Sequence, residues 1–204
     1  MAVLKAFKGL RPPASLAEKV ASRPYDVLNS EEAREEAKGN EYSLLHIIKP
    51  EIDLDPEIDV HAQQVYDKAK ENFDKFQKKG WLLDDDGEYI YIYGQTMWGK
   101  TQYGIVGCAA VDDYLNNIIK KHELTRPDKE EDRMKHVRIN NANLEPVFFS
   151  YPAVKDIDEI VKSYILHNAP EYDFVAADGI GHHFWVIKDK GIIMSLIELF
   201  DQIP

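Results

Sequence analysis

Residues 120 to 138 read Lys-Lys-His-Glu-Leu-Thr-Arg-Pro-Asp-Lys-Glu-Glu-Asp-Arg-Met-Lys-His-Val-Arg. Two histidines, seven lysines and arginines and five carboxylates fall within these 19 residues, in a chain of net charge -11. Cations of this kind hold phosphate and carboxylate groups, and histidine and glutamate move protons. Thr125 can cap a helix that starts at Arg126, with Pro127 and Asp128 in its first turn. On that helix Arg126, Lys129, Arg133 and His136 are spaced 3, 4, 3 and share one face. Lys129 and Arg133 are a like-charge i,i+4 pair, which costs roughly 0.2–0.5 kcal/mol in an isolated helix. A cationic stripe that repels itself points to an anion nearby, either another part of the protein or a ligand.

Read as a ligand site, the segment assigns the anion to Lys121, His122, Arg126, Lys129, Arg133 and His136, helped by free N–H groups at the helix start. Glu123, beside His122, is then the general base. Asp26, in Pro24-Tyr25-Asp26, is a second carboxylate candidate for the catalytic role. The plainer alternatives stay open. Charged helix faces are commonly solvated, and this one has Glu130 and Asp132 to pair with. An aspartate after Pro-Tyr commonly caps a turn.

Gly94-Gln95-Thr96-Met97-Trp98-Gly99-Lys100-Thr101 satisfies G-x-x-x-x-G-K-[ST], the phosphate-cradling loop pattern. That motif requires a helix directly after Lys-Thr, because the helix N-terminus holds the phosphate. Gln-Tyr-Gly-Ile-Val-Gly follows instead, with two glycines and β-branched residues, so a hairpin turn is the better reading. Asp178-Gly179-Ile180-Gly181-His182-His183 is a ligand loop, half of a metal site or a tight turn. Adjacent strand residues point to opposite faces, so the two histidines cannot easily share an ion. No metal site is assigned.

The elements that must position these groups follow from local signals. Residues 3–8 read as a short strand, ended by Gly9 and Arg11-Pro12-Pro13. Ser15 opens a short helix to about Val20, and Ser30 a clearer one stopped by Gly39. Leu44 to Ile48 reads as a buried strand, and 49–60 as an acidic loop. Ala62 to Lys79 is a helix with Val65, Ala69, Phe73 and Phe76 inward, ended by Gly80. Glu88 to Met97 and Thr101 to Val111 form one hairpin; Tyr172 to Ala177 and His182 to Ile187 form another. Val147 to Tyr151 reads as a strand, Asp156 to His167 as an amphipathic helix and Gly191 to Phe200 as a strongly apolar one. The fold class is therefore α+β: a mixed, mostly antiparallel sheet with two β-hairpins and about five to six helices packed on it, in a single domain over 1–204.

At 204 residues the chain can bury a sizeable core. Its charge of -11 argues against general nucleic-acid binding and against anionic membrane surfaces. A lone cysteine, Cys108, permits no intrachain disulfide and fits a reducing cytoplasm. The first residues hold no apolar h-region, and no apolar run approaches a membrane span.

Several stretches occur in an order that resembles one family: Phe7-Lys8-Gly9-Leu10-Arg11-Pro12, Pro24-Tyr25-Asp26-Val27, Lys120 to Arg133, Asn141-Ala142-Asn143 to Pro146, and Phe184-Trp185-Val186-Ile187. The chain resembles the bacterial and archaeal proteins of domain-of-unknown-function family 1015, labelled SpoOJ/ParA/ParB/repB-like. The resemblance implies that this is the N-terminal half of a protein about twice as long. In such proteins an Ala-Asp-Gly-His-His-Arg stretch follows, similar to the phosphate-binding element of ParB-type CTPases and ParB-like serine kinases. It implies a nucleotide- or phosphate-linked role, weak or absent in the isolated half.

Together these readings give a cytoplasmic protein that binds a small phosphorylated ligand or nucleotide through residues 120–138. A Mg-nucleotide is compatible as cofactor, and a phosphotransferase-related reaction would use Glu123 or Asp26. The alternative is a non-enzymatic interaction module that docks an acidic partner or a second copy of itself.

Overall fold

A computed structural model describes residues 2–122 and 126–203. In chain order they form β1 (Leu4–Lys5), β2 (Leu10–Arg11), α1 (Ala17–Val20), α2 (Ser30–Glu36), α3 (Leu45–Ile48), α4 (Gln63–Lys78), β3 (Leu83–Asp84), β4 (Ile90–Met97), β5 (Lys100–Val106) and β6 (Cys108–Ala109). There follow α5 (Val111–Leu115), α6 (Pro127–Asn140), α7 (Lys155–His167), β7 (Tyr172–Val175), β8 (Gly181–Ile187) and α8 (Lys190–Asp201). The fold is α+β with antiparallel sheets. Two compact units share it: residues 1–10, 84–123 and 149–204 make one, residues 11–83 and 124–148 the other. No helix among the described residues is long and apolar enough to cross a membrane.

The first unit is built on a four-stranded antiparallel sheet in the order β5-β4-β8-β7. Trp98 (φ +50°) and Gly99 (φ +74°) make the two-residue turn between β4 and β5. Two left-handed residues match the twist of the strands they join. β5 begins at Lys100, so no helix N-terminus stands where a phosphate loop requires one. Direct partners in a ladder share a face. Ile90, Ile92, Trp185 and Ile187 therefore face one way, and meet Ile157 and Val161 of α7 and Ile193 and Leu196 of α8. Each such side chain, fully buried, contributes about 1.5–3 kcal/mol. The opposite face carries Tyr91, Tyr93, His182 and Phe184. His182 and His183 thus point to opposite faces, as the strand period requires.

The second unit is helical and centred on α4. Val65, Tyr66, Ala69, Asn72, Phe73 and Phe76 are its buried residues, at helical spacing. Gly80 (φ +71°) turns the chain out of it. Asn29 and Glu32 form a capping box at the start of α2. Leu28, Ala33, Ala37, Leu45, Ile48 and Ile52 close a satellite core.

Three strand readings are corrected. Leu44 to Ile48 is not a strand: Leu45–Ile48 is a helical turn. Ile47 N–H and Ile48 N–H both donate to the Leu44 carbonyl, and Lys49 N–H to Leu45. A five-residue apolar run has too short a period to separate strand from buried helix. Val147 to Tyr151 has no regular structure, and Val147 and Phe148 are exposed. Its β-branched and aromatic composition finds no partner strand among the described residues. The expected strand from Thr101 to Val111 ends at Val106; β6 pairs with β1 instead, and α5 starts at Val111.

Candidate functional site

Helix α6 decides the fate of the cationic segment. Arg126 is its N-cap residue, and no side chain among the described residues caps it. Thr125, expected as the cap, lies outside the described residues, as does Glu123. The residues that α6 buries are Asp132, His136 and Asn140, spaced 4 and 4. This inward stripe is polar, which is unusual, since helices normally bury apolar side chains. It packs on α4 through Tyr66, whose hydroxyl donates to Asp132 Oδ1 at 2.8 Å. The Tyr66 ring meets the His136 ring edge-on at 5.1 Å.

Asp132 is the hub of that contact. The adjacent Arg133 guanidinium donates to its Oδ2 through Nε (3.0 Å) and Nη2. His61 Nδ1 lies 3.3 Å from Oδ1. Burial opposes the charge on Asp132, but the hydrogen bonds from Arg133 and Tyr66 outweigh it and hold its pKa below the ordinary carboxylate value. The Tyr66 hydroxyl is pushed the other way, by burial and by the carboxylate it bonds. Burial drives His136 down to about 4, with the Arg133 charge adding to the effect, so its ring is neutral at pH 7. Among the described residues His136 Nδ1 and Asn140 Oδ1 have no hydrogen-bond partner.

Arg133 does more than bind its neighbour. Its Nη1 donates to Glu145 Oε2 at 3.2 Å, and its guanidinium carbon lies 3.9 Å from the centre of the Tyr25 ring. Glu145 in turn accepts from the Tyr25 backbone N–H at 3.2 Å. One planar fork thus ties the Pro24-Tyr25-Asp26 turn, α6 and the segment after it together, geometry that an ammonium could not supply. Burial raises the Glu145 pKa, against the pull of the Tyr25 N–H and of Arg133.

The candidate residues therefore separate. Arg126 is gripped by Asp128, with Nε–Oδ1 at 3.1 Å and Nη2–Oδ2 at 2.6 Å, and is exposed. Arg133 is matched to two carboxylates and His136 is buried and uncharged. Lys129 is exposed and has no ion pair among the described residues. Asp26 is exposed in a short 3-10 turn, where its charge acts on Tyr25 and Glu145. Lys121 and His122 belong to the other unit, where the Lys121 ammonium lies 4.9 Å from the Tyr114 ring centre. No group of three metal-ligating side chains occurs among the described residues.

On its outer side α6 forms one wall of an open groove of about 520 Å3. Tyr25, Met134 and Val137 give it an apolar floor, and Lys129, Glu130, Arg133 and Arg138 surround them. Met134 and Val137 are 50% and 46% exposed. The motif reading missed Met134, Val137 and Arg138, although their i, i+3, i+4 spacing was visible. It also missed Glu145, which only tertiary contact brings to Arg133.

Fold and site define an α+β protein whose helical unit carries an apolar, cation-rimmed groove. The chain belongs to the family described as a protein of unknown function, domain-of-unknown-function family 1015, whose model matches residues 4–204. That description names no activity, and neither a ParB relationship nor a first-half boundary follows from it. No curated protein and no solved structure matches the chain.

Proposed function

We propose that this protein is a binding module whose α6 groove docks a segment of a partner protein bearing acidic and apolar side chains. One observation carries the reading: Met134 and Val137 lie exposed between Lys129, Arg133 and Arg138. Apolar and aromatic contact flanked by arginine is the usual anatomy of a protein interface core and rim. Lys129 and Arg138 have no carboxylate partner among the described residues, and an acidic segment supplies one. The Arg133 fork holds Tyr25 in place beforehand, which lowers the ordering cost of binding. An open groove suits a peptide better than a small ligand, which is commonly held in a cleft that buries most of its surface.

A second reading, a phosphorylated small molecule or Mg-nucleotide on the same helix, follows from the phosphate-linked role that the sequence resemblance implies for longer family members. Lys129, which has no ion pair among the described residues, and the first turn of α6, which no described side chain caps, favour it. Three of its expected cations count against it, since Arg126, Arg133 and His136 are already paired or neutral.

Methyl NMR of Met134 separates the two. A short helical peptide with glutamates and leucines on one face shifts the Met134 signal, and Lys129→Glu with Arg138→Glu abolishes the shift. Inorganic phosphate and Mg-ATP leave it in place. A Met134 signal indifferent to millimolar peptide removes the docking reading. Backbone shifts at Lys129 with Mg-ATP alone would instead establish the second.

A further inference from the structure

Four side chains on the first unit's sheet form an unbroken hydrogen-bonded line that neither reading above uses. Asp173 on β7 and His183 on β8 are direct ladder partners, with Asp173 Oδ1 and His183 Nδ1 2.9 Å apart. His183 Nε2 lies 2.9 Å from Thr96 Oγ1 on β4. Thr96 Oγ1 lies 2.7 Å from Thr101 Oγ1 on β5, again a direct partner. The line crosses all four strands on the face that α7 and α8 cover only at its other end, over Ile90, Ile92, Trp185 and Ile187.

The acceptors fix the direction of the protons. Ionised Asp173 only accepts, so Nδ1 of His183 carries the hydrogen that bonds it. In the neutral ring Nε2 is then the acceptor, Thr96 donates to it, and Thr101 donates to Thr96. A carboxylate orienting a histidine that takes the proton of a hydroxyl is the arrangement that activates alcohol nucleophiles, and it is recognised by geometry and not by sequence order.

Two glycines make the approach. A Cβ on Gly181 would lie 3.1 Å from Thr96 Cβ and 3.3 Å from His183 Nε2. A Cβ on Gly94 would lie 2.9 Å from the Tyr103 ring and 3.4 Å from His183 Cβ. Gly94 therefore lets the Tyr103 ring lie beside the histidine as an apolar flank. The histidine side chain is 26% exposed and the Asp173 side chain 63%; Thr96 is half-buried and Thr101 exposed, so the line meets solvent at both ends.

We propose that Thr96 is a nucleophile and His183 its general base in an acyl-transfer site for small neutral carboxylic esters, with Asp173 as the positioning residue. Thr96 Oγ1 bonds to the ester carbonyl carbon while its proton passes to His183 Nε2. The C–O bond to the alcohol breaks, and the departing oxygen takes that proton. Water then adds to the acyl-threonine, gives its proton to His183, and releases the carboxylic acid as Thr96 recovers its hydrogen. Exposed Asp173 disfavours anionic esters, and the Tyr103 ring favours an apolar acyl group.

The probe is p-nitrophenyl acetate with the full chain. Expected are a burst of p-nitrophenol and an acetyl group located on Thr96 by peptide mass spectrometry. His183→Gln slows acylation about 100-fold or more, the ordinary contribution of a general base. Thr96→Ser retains the burst and Thr96→Val removes it. Asp173→Asn slows it and erases the downfield imidazole N–H proton resonance, while Asp173→Glu restores both, which a merely structural role would not produce. Acetyl groups found on lysines only, or a burst undiminished in His183→Gln, overturn the proposal. Thermal unfolding confirms that each variant is folded; should Thr96→Val not fold, Thr96→Ser and His183→Gln decide alone.

Discussion

At the scale of single residues, two arginines of one helix, Arg126 at its N-cap and Arg133 within it, look alike in sequence and differ in weight. Arg126 is exposed and paired within its own turn, and such pairs contribute little. Arg133 is half-buried and joins Asp132, Glu145 and Tyr25. Removing it leaves Asp132 buried with a partner missing, a situation that is strongly destabilising. Arg133→Ala is expected to cost about 2–3 kcal/mol in urea unfolding, and Arg126→Ala under about 0.5 kcal/mol. His136 gives a pH signature. Its folded pKa is depressed from 6.5 to about 4, so its contribution is present above pH 6.5 and is lost as pH falls from there towards 4. The difference in unfolding free energy between wild type and His136→Asn is expected to fall by about 3 kcal/mol across that window. A difference that stays flat with pH contradicts the burial of a neutral ring.

At the scale of elements, α3 is held to its neighbours by a second histidine with the opposite sign. His46 Nδ1 lies 2.8 Å from Asp53 Oδ1, and Nε2 lies 3.1 Å from the Asn40 carbonyl oxygen. Both partners only accept, so the ring must carry both protons to satisfy them. The Asp53 hydrogen bond accordingly raises the His46 pKa against burial, and Asp53 is lowered, its hydrogen bond and charge contact with His46 outweighing burial. Asn72 on α4 completes the joint, donating to the His46 carbonyl and to Asp53 Oδ2. A raised histidine stabilises below pH 6.5 and loses that contribution as pH rises through its folded value. Measured against His46→Gln, the stabilisation should be largest below neutrality and shrink in mildly alkaline buffer. The hairpin between β4 and β5 is a separate element with a local rule. Gly99 needs φ +74°, so Gly99→Ala is expected to cost about 1 kcal/mol in thermal unfolding.

At the scale of the whole molecule, the chain divides its residues between two discontinuous units, each with its own core. The crossing near residues 147–151 has no regular structure, and Phe148 is 82% exposed. Limited chymotrypsin digestion is expected to cut there first, read by mass spectrometry. Some of this architecture was written locally. The α4 face, both hairpins, α7, the opposed directions of His182 and His183, and the failure of the glycine-lysine loop pattern follow from period and turn residues a few positions apart. Short apolar runs at 44–48 and 147–151 misled because they lack a full period, and only neighbours decide whether such a run becomes strand, helix or neither. The cationic stripe was legible as a stripe, but its charge state was not. Matching a cation to a carboxylate depends on where a residue such as Glu145 arrives in space, and neutralising His136 depends on what buries it. The line from Asp173 to Thr101 likewise depends on one distant contact, Thr96 Oγ1 to His183 Nε2 at 2.9 Å across 87 positions, which the pairing of β4 with β8 supplies. Sequence set the long periodic elements, the turns and the family; packing decided the short apolar runs and chose which side chains remain available for chemistry, because solvation and charge pairing are properties of neighbours in space.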